Sequence, residues 1–216
     1  ANLSLKSSSG NVAVDGTLQN ITDKIKAKYD LVLHTTGLQL GSIMKNPRLG
    51  AMTGNFKVKC SGLDPKTANA TFSAVIPTIV LNNYNYHHIE ANGNVANENY
   101  TINATVSDPN LTARIDGSGN FSGEYPTLLL ESTIDSIKTL ALNLTSQRII
   151  YHGNIDADFA NLDPDHLEGN LNVTHSILVT DSNRITLDSL SLIASSAGEN
   201  ENLEIKSDFL NAAIKG

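Results

Sequence analysis

Gly153-Asn-Ile-Asp-Ala-Asp-Phe-Ala-Asn-Leu-Asp-Pro164 decides the fold, because the chain has already spelled it once as Gly54-Asn-Phe-Lys-Val-Lys-Cys-Ser-Gly-Leu-Asp-Pro65. Within each copy apolar and polar residues alternate: Phe56, Val58 and Cys60 in the first, Ile155, Ala157 and Phe159 in the second. Strict alternation places the apolar side chains on one face of a β-sheet and the polar ones on the other.

Outward from this pair the echo continues at an offset of 99 residues, Gly153 answering Gly54. Ala70-Thr-Phe-Ser-Ala-Val75 is answered by Gly169-Asn-Leu-Asn-Val-Thr174, shifted in phase by about one residue, and Thr112-Ala-Arg-Ile-Asp-Gly117 by Asn211-Ala-Ala-Ile-Lys-Gly216. A partial third echo opens the chain: Asn2-Leu-Ser-Leu-Lys-Ser7 and Val12-Ala-Val-Asp-Gly16 match Asn202-Leu-Glu-Ile-Lys-Ser207 and Ala212-Ala-Ile-Lys-Gly216. The expected organisation is the end of a preceding repeat at 1–16, repeat one at 17–117 and repeat two at 118–216, joined in one continuous sheet. Such a chain reads as an internal piece of a longer array.

Period-two patterning fills the rest. Its longest run is Ile25, Ala27, Tyr29, Leu31 and Leu33; others include Phe72 and Ala74, Ile102 and Ala104, Leu171 and Val173, Leu190 and Leu192, and Leu203 and Ile205. Asn92-Gly-Asn94, Asp108-Pro-Asn110, Gly117-Ser-Gly119, Asp163-Pro-Asp165 and Ser196-Ala-Gly198 read as turns between runs. Leu38–Lys45 and Ser136–Leu144 hold comparable places before each copy, and each is either a short helix or a loop crossing one end of the sheet. The fold class is therefore all-β and antiparallel, with about eighteen strands at the usual mean length. The apolar face is hidden by an elongated sheet curled into a trough with that face concave, by closure as a barrel, or by β-sandwich repeats, since alternation is the same in each.

Composition narrows the function classes. The net charge of −7 across 216 residues offers no basic stripe for nucleic acid. The single cysteine, Cys60, excludes an internal disulfide framework and sits in an alternating run as a small hydrophobe. No apolar run approaches the ~20 residues that cross a bilayer as a helix. Among the six histidines no pair has metal-ligand spacing, and His87 and His88 are neighbours on one strand. Asp156, Asp158, Asp163 and Asp165 lack the glycine and closing glutamate of a calcium-binding hand. No nucleophile elbow or phosphate loop is present. The expectation is a non-enzyme with neither cofactor nor metal. Eight Asn-x-Ser/Thr sequons (Asn20, Asn69, Asn99, Asn103, Asn110, Asn120, Asn143 and Asn172) fit either a glycosylated secreted chain or an Asn- and Thr-rich bacterial β-protein.

Several longer stretches carry a family resemblance: Ile185-Thr-Leu-Asp-Ser-Leu-Ser-Leu-Ile-Ala-Ser195; Leu203 to Gly216; Tyr84-Asn-Tyr-His-His-Ile-Glu-Ala-Asn-Gly93; Asp108-Pro-Asn-Leu-Thr-Ala-Arg-Ile-Asp-Gly-Ser-Gly-Asn-Phe121; Pro126-Thr-Leu-Leu-Leu-Glu-Ser132; and the two Gly-Asn…Leu-Asp-Pro copies. In order and punctuation these resemble the TamB family, the inner-membrane components of translocation and assembly modules, related to the AsmA-like bridge proteins. The resemblance implies a periplasmic segment of a protein anchored in the inner membrane of a diderm bacterium. It implies a β-trough whose lining shelters phospholipid acyl chains on their way to the outer membrane, and an outer-membrane β-barrel partner engaged in protein assembly. Joined to the alternation, it makes Ile25, Ala27, Tyr29, Leu31, Leu33, Phe72, Ile102, Ala104, Phe159, Leu171, Val173, Leu203 and Ile205 the candidate groove lining. Small members such as Ala27, Ala104 and Ala157, with Ala74, would leave room for an acyl chain. Unpaired end strands would let such a fragment self-associate edge to edge. A cell-surface sandwich or adhesin-type binding module is the competing function.

Overall fold

The computed structural model describes residues 2–7, 9–23, 26–62, 68–163, 165–197 and 200–215. Fourteen strands form one antiparallel sheet in simple chain order. They are β1 (Asn2–Ser7), β2 (Gly10–Gln19), β3 (Lys28–Gln39), β4 (Leu49–Ser61), β5 (Asn69–Leu81), β6 (Tyr84–Ala96), β7 (Asn99–Asp108), β8 (Leu111–Asn120), β9 (Leu128–Lys138), β10 (Ile150–Asn161), β11 (Glu168–Val179), β12 (Arg184–Ala197), β13 (Asn200–Ser207) and β14 (Asn211–Lys215). Two of the tight turns, Asn82-Asn83 and Asn97-Glu98, hold both central residues at positive φ. That is the hairpin geometry whose twist matches the flanking strands, and asparagine tolerates it best among residues with a Cβ.

The 99-residue offset becomes a six-strand period. Strands β3 to β8 occupy 28–120 and β9 to β14 occupy 128–215, so that β4 corresponds to β10 and β5 to β11. β1 pairs only with β2, and β14 only with β13, so the sheet does not close as a barrel. The stack of fourteen strands is about 60 Å long at ~4.8 Å per strand.

Among the described residues no second layer covers the sheet. A compact monomer of 23.1 kDa would expose about 9,700 Å², whereas this chain exposes 13291 Å². Among the described residues its strands make their main contacts with sheet neighbours, and β4 also touches the short helical segment at 40–44. Leu142 is the one large side chain there with under 2 % exposure, and the other buried apolar residues are mainly alanines. A sandwich would bury two rows of large aliphatics, so the sandwich alternative does not hold.

The sheet is an open, curled trough. Small residues set the bend. Along the apolar face, aromatic residues are paired with glycines on the next strand: Phe72 faces Gly93, Tyr100 faces Gly119 and Phe159 faces Gly169. A Cβ on Gly93 would meet the Thr101 carbonyl oxygen first and sit 2.6 Å from Phe72 Cε1, and one on Gly169 would meet the Asp158 carbonyl oxygen first and sit 2.7 Å from Phe159 Cδ1. Glycine placed beneath an aromatic neighbour is a device by which sheets bend without losing cover.

This use of glycine corrects two of the expected turns. Asn92-Gly93-Asn94 lies inside β6 and Gly117-Ser118-Gly119 inside β8; their glycines make room for side chains. Ser196 and Ala197 likewise continue β12. The strands are accordingly longer and fewer than the expected eighteen. Of the two segments read as helix or loop, Leu40–Met44 forms the short helix α1, while 139–144 is a run of turns.

Candidate functional site

Cross-strand register carries rows of apolar side chains between β3 and β13. The row Leu33, Phe56, Ala74, Ala91, Ala104, Ile115 is continuous through direct antiparallel partners, and direct partners share a face. A second row runs Leu31, Val58, Phe72, Gly93, Ile102, Gly117, Leu130, Ala157, Leu171, Leu192, Ile205. Tyr29 joins through Cys60, Phe159 through Gly169, Val173 through Leu190 and Leu203 through Ala194. Eleven expected lining residues thus lie on one face: Tyr29, Leu31, Leu33, Phe72, Ile102, Ala104, Phe159, Leu171, Val173, Leu203 and Ile205.

The other two expectations end differently. Ile25 lies outside the described residues. Ala27 is fully buried but precedes β3, where its N–H donates to the Asp23 carbonyl and its carbonyl accepts from Gly62 N–H. The alternation was right in parity. The strand starts one residue later because the Asn20–Asp23 turn holds the backbone: Asp23 N–H donates to the Asn20 carbonyl and Asp23 Oδ1 accepts from Lys26 N–H.

Leu130 and Ile134 also occupy the apolar face, paired with Gly117 and Ala113. Sequence reading passed over them because Leu128-Leu129-Leu130 breaks alternation; Leu129 turns to the opposite face and is 48 % exposed. On the apolar face Phe72 and Ile102 remain 38 % and 39 % exposed. These side chains shield one another sideways and are open from above. Cys60 stands in this face, half-buried, its thiol donating to the Gly62 carbonyl at 3.1 Å.

The opposite face is polar and internally paired. Lys59 bridges Asp30 at 3.1 Å. Arg114 bridges Asp116 at 2.6 Å, and Asn103 donates to the same carboxylate. Arg114, with Asn103 assisting, holds the Asp116 carboxyl below its ordinary range. A hollow of ≈ 590 Å³ opens on this side between two rungs that include Thr17, Asp30, Lys59, Thr71 and Asn94. A twisted sheet is saddle-shaped, so each face carries its own shallow depressions.

Two carboxylates are buried among the described residues, Asp108 and Asp163, and Asp163 accepts from Asp165 N–H at 3.0 Å. Asp108, 3 % exposed, accepts from Tyr84 Oη at 2.6 Å, Asn110 N–H at 2.8 Å and His87 N–H at 2.9 Å. Burial pushes its carboxyl upward, but these donors outweigh it and the net displacement is downward. Burial and the hydrogen bond to Asp108 raise the Tyr84 phenol. The carboxylate replaces a missing ladder partner where β6 kinks: His88 has φ 49°, which brings the His87 and His88 rings to 6.3 Å instead of leaving them on opposite faces. Asp208 does the equivalent at β12, accepting from Asp188 N–H at 2.7 Å. These carboxylates serve backbone geometry. Elsewhere His34 Nδ1 lies 2.6 Å from Asn55 Oδ1, and His166 Nδ1 lies 3.1 Å from Glu201 Oε1. Among the described residues no group of three or more His, Cys, Asp or Glu side chains is placed to hold a metal ion. Among the described residues no helix is long and apolar enough to cross a membrane.

No protein-family model matches the chain, and neither a curated protein nor a solved structure matches it.

Proposed function

We propose that this chain is a periplasmic segment of an envelope-spanning protein of the TamB kind, whose apolar face shelters phospholipid acyl chains in transit to the outer membrane. The observation that carries the proposal is the uncovered apolar row running through every strand from β3 to β13. At about 60 Å, the strand stack is several times the ~15 Å half-thickness of a bilayer's hydrocarbon core. Each acyl CH₂ laid against such a face is worth about 0.8 kcal/mol, so a chain is held without a dedicated pocket. A row without charges or fixed donors lets it slide.

Small residues on the face (Ala74, Ala104, Ala157) and the glycines paired with aromatic residues keep its relief low. The paired charges of the opposite face keep that side in water. In the full-length protein, the same reading assigns a β-barrel partner in the outer membrane and a role in protein assembly there.

The test is lipid carried by the purified protein. Leu31→Glu and Phe159→Glu put a charge into the row at half-exposed positions, where the open face tolerates it and the sheet still folds. Mass spectrometry of extracted lipid should show co-purified phospholipid with the unaltered chain, a strong loss with either substitution, and none with Lys57→Glu on the polar face. Equal lipid content in all four proteins would reject the proposal. So would unfolding of both inner variants with no lipid on the unaltered chain.

A further inference from the structure

Both halves carry an arginine beside the corresponding hairpin turn, one residue out of register: Arg148 follows Arg48 by 100 residues, whereas Asp181 follows Asn82 by 99 and Gln147 holds the position that answers Arg48. In the second half, Arg148, two residues before β10, reaches Asp181 in the β11–β12 turn, with Nη1 and Oδ1 3.7 Å apart. In the first half, Arg48, one residue before β4, faces the β5–β6 turn; its carbonyl accepts from Asn82 N–H at 2.8 Å. The position that holds Asp181 is here Asn82, 99 residues earlier. The guanidinium of Arg48 has no ion-pair partner among the described residues.

A polar hollow of ≈ 390 Å³ takes the place of that missing carboxylate, lined by Pro47, Arg48, Asn82, Asn83, Asn143 and Leu144. Asn143 belongs to the loop between β9 and β10, yet its Nδ2 donates to the Asn82 carbonyl at 3.0 Å. The second unit's loop therefore closes the hollow over the first unit's turn. Arginine plus side-chain amides, with no acid among the lining residues, is a donor-rich arrangement, and a guanidinium fork matches a tetrahedral oxyanion geometrically.

We infer that this hollow binds a phosphate-type oxyanion, which takes at Arg48 the place that the Asp181 carboxylate holds at Arg148. The oxyanion is free phosphate or the phosphate of a lipid headgroup. The site stands apart from the apolar row: its side chains belong to the loops of one rim, and Leu31→Glu leaves it intact.

The test exchanges the two units' chemistry. Asn82→Asp supplies the internal carboxylate; Asn82 has φ 49°, which aspartate also accepts. Asp181→Asn removes it from the second unit. One arm titrates inorganic phosphate, with chloride as the control, and follows the Arg48 Nε–H and the Asn82, Asn83 and Asn143 side-chain amides by NMR. The other arm floats the protein with vesicles of phosphatidylglycerol. Loss of one charged partner should weaken binding at least about tenfold in both Arg48→Gln and Asn82→Asp. Asp181→Asn should add a second site centred on Arg148. Saturable phosphate binding with this dependence supports a free oxyanion, and vesicle binding alone with this dependence supports a headgroup. Shifts that chloride reproduces, or binding in both arms unchanged by Arg48→Gln and Asn82→Asp, overturn the inference.

Discussion

Removing the same three carbons at two places measures whether the apolar face is open. Leu142→Ala acts on a side chain with 0 % exposure, and Ile102→Ala on one that is 39 % exposed. At about 0.8 kcal/mol per buried CH₂, the transfer loss at Leu142 is about 2.4 kcal/mol. The cavity left in a closed site adds to that, for a total of about 2.5–5 kcal/mol. At Ile102 roughly three-fifths of the side chain is shielded, so the transfer loss is about 1.5 kcal/mol, and no cavity forms because solvent or lipid enters from above. Urea unfolding followed by circular dichroism reads both, with the comparison restricted to variants whose m-value is unchanged. Leu142→Ala should cost at least about 1 kcal/mol more than Ile102→Ala. An Ile102→Ala cost equal to or above that of Leu142→Ala would refute the reasoning, since it would mean that something packs on the face.

Other consequences follow from particular contacts. Asp108 has a folded-state carboxyl below its ordinary value, so its contribution is present above the unfolded value near 3.9 and is lost as pH falls through the folded one; Asp108→Asn should flatten the acid limb of the stability curve below about pH 4 while lowering stability at pH 7 by about 1–3 kcal/mol. Gly93→Ala places a Cβ against the Thr101 carbonyl oxygen and 2.6 Å from the Phe72 ring and should cost more than about 1 kcal/mol, a cost that a Phe72→Leu background should reduce only in part in a double-mutant cycle, because the backbone contact stays. The free edges at β1 and β14 should pair between molecules, giving a light-scattering mass that rises with concentration. Of Ala212→Pro and Ala213→Pro, the one whose N–H points to the open edge should suppress that rise, and a mass independent of concentration would reject edge pairing.

What could be read from the sequence was whatever repeats or alternates. Leu31, Ile102, Phe159 and Ile205 were each put on the apolar side of their own strand by parity, because a period of two leaves a side chain only two directions. The repeat at Gly54 and Gly153 gave matching strands in the two halves. Gly93 and Gly119 were misread as turn formers, because a glycine under a ring and a glycine in a hairpin look the same in one dimension. Leu130 was missed because its neighbour Leu129 is an exposed leucine that breaks the pattern. Ala27 kept its parity while lying outside the strand, since a local Asp23 contact fixes the start. Arg48, Asn82 and Asn143 are far apart in the chain and of ordinary types; only the stacking of the two units brings them together, so no local signal marks them.

The most direct test of the open apolar row is site-specific photocrosslinking with a benzophenone side chain in the purified protein, mixed with vesicles of radiolabelled phospholipid. Positions 31, 102 and 171 lie in the row, and positions 57, 103 and 172 lie on the polar face of the same or adjacent strands. The account predicts labelled lipid at the first three, which sample both halves of the sheet, and background at the second three. Labelling of both faces alike, or of the polar face alone, would contradict it.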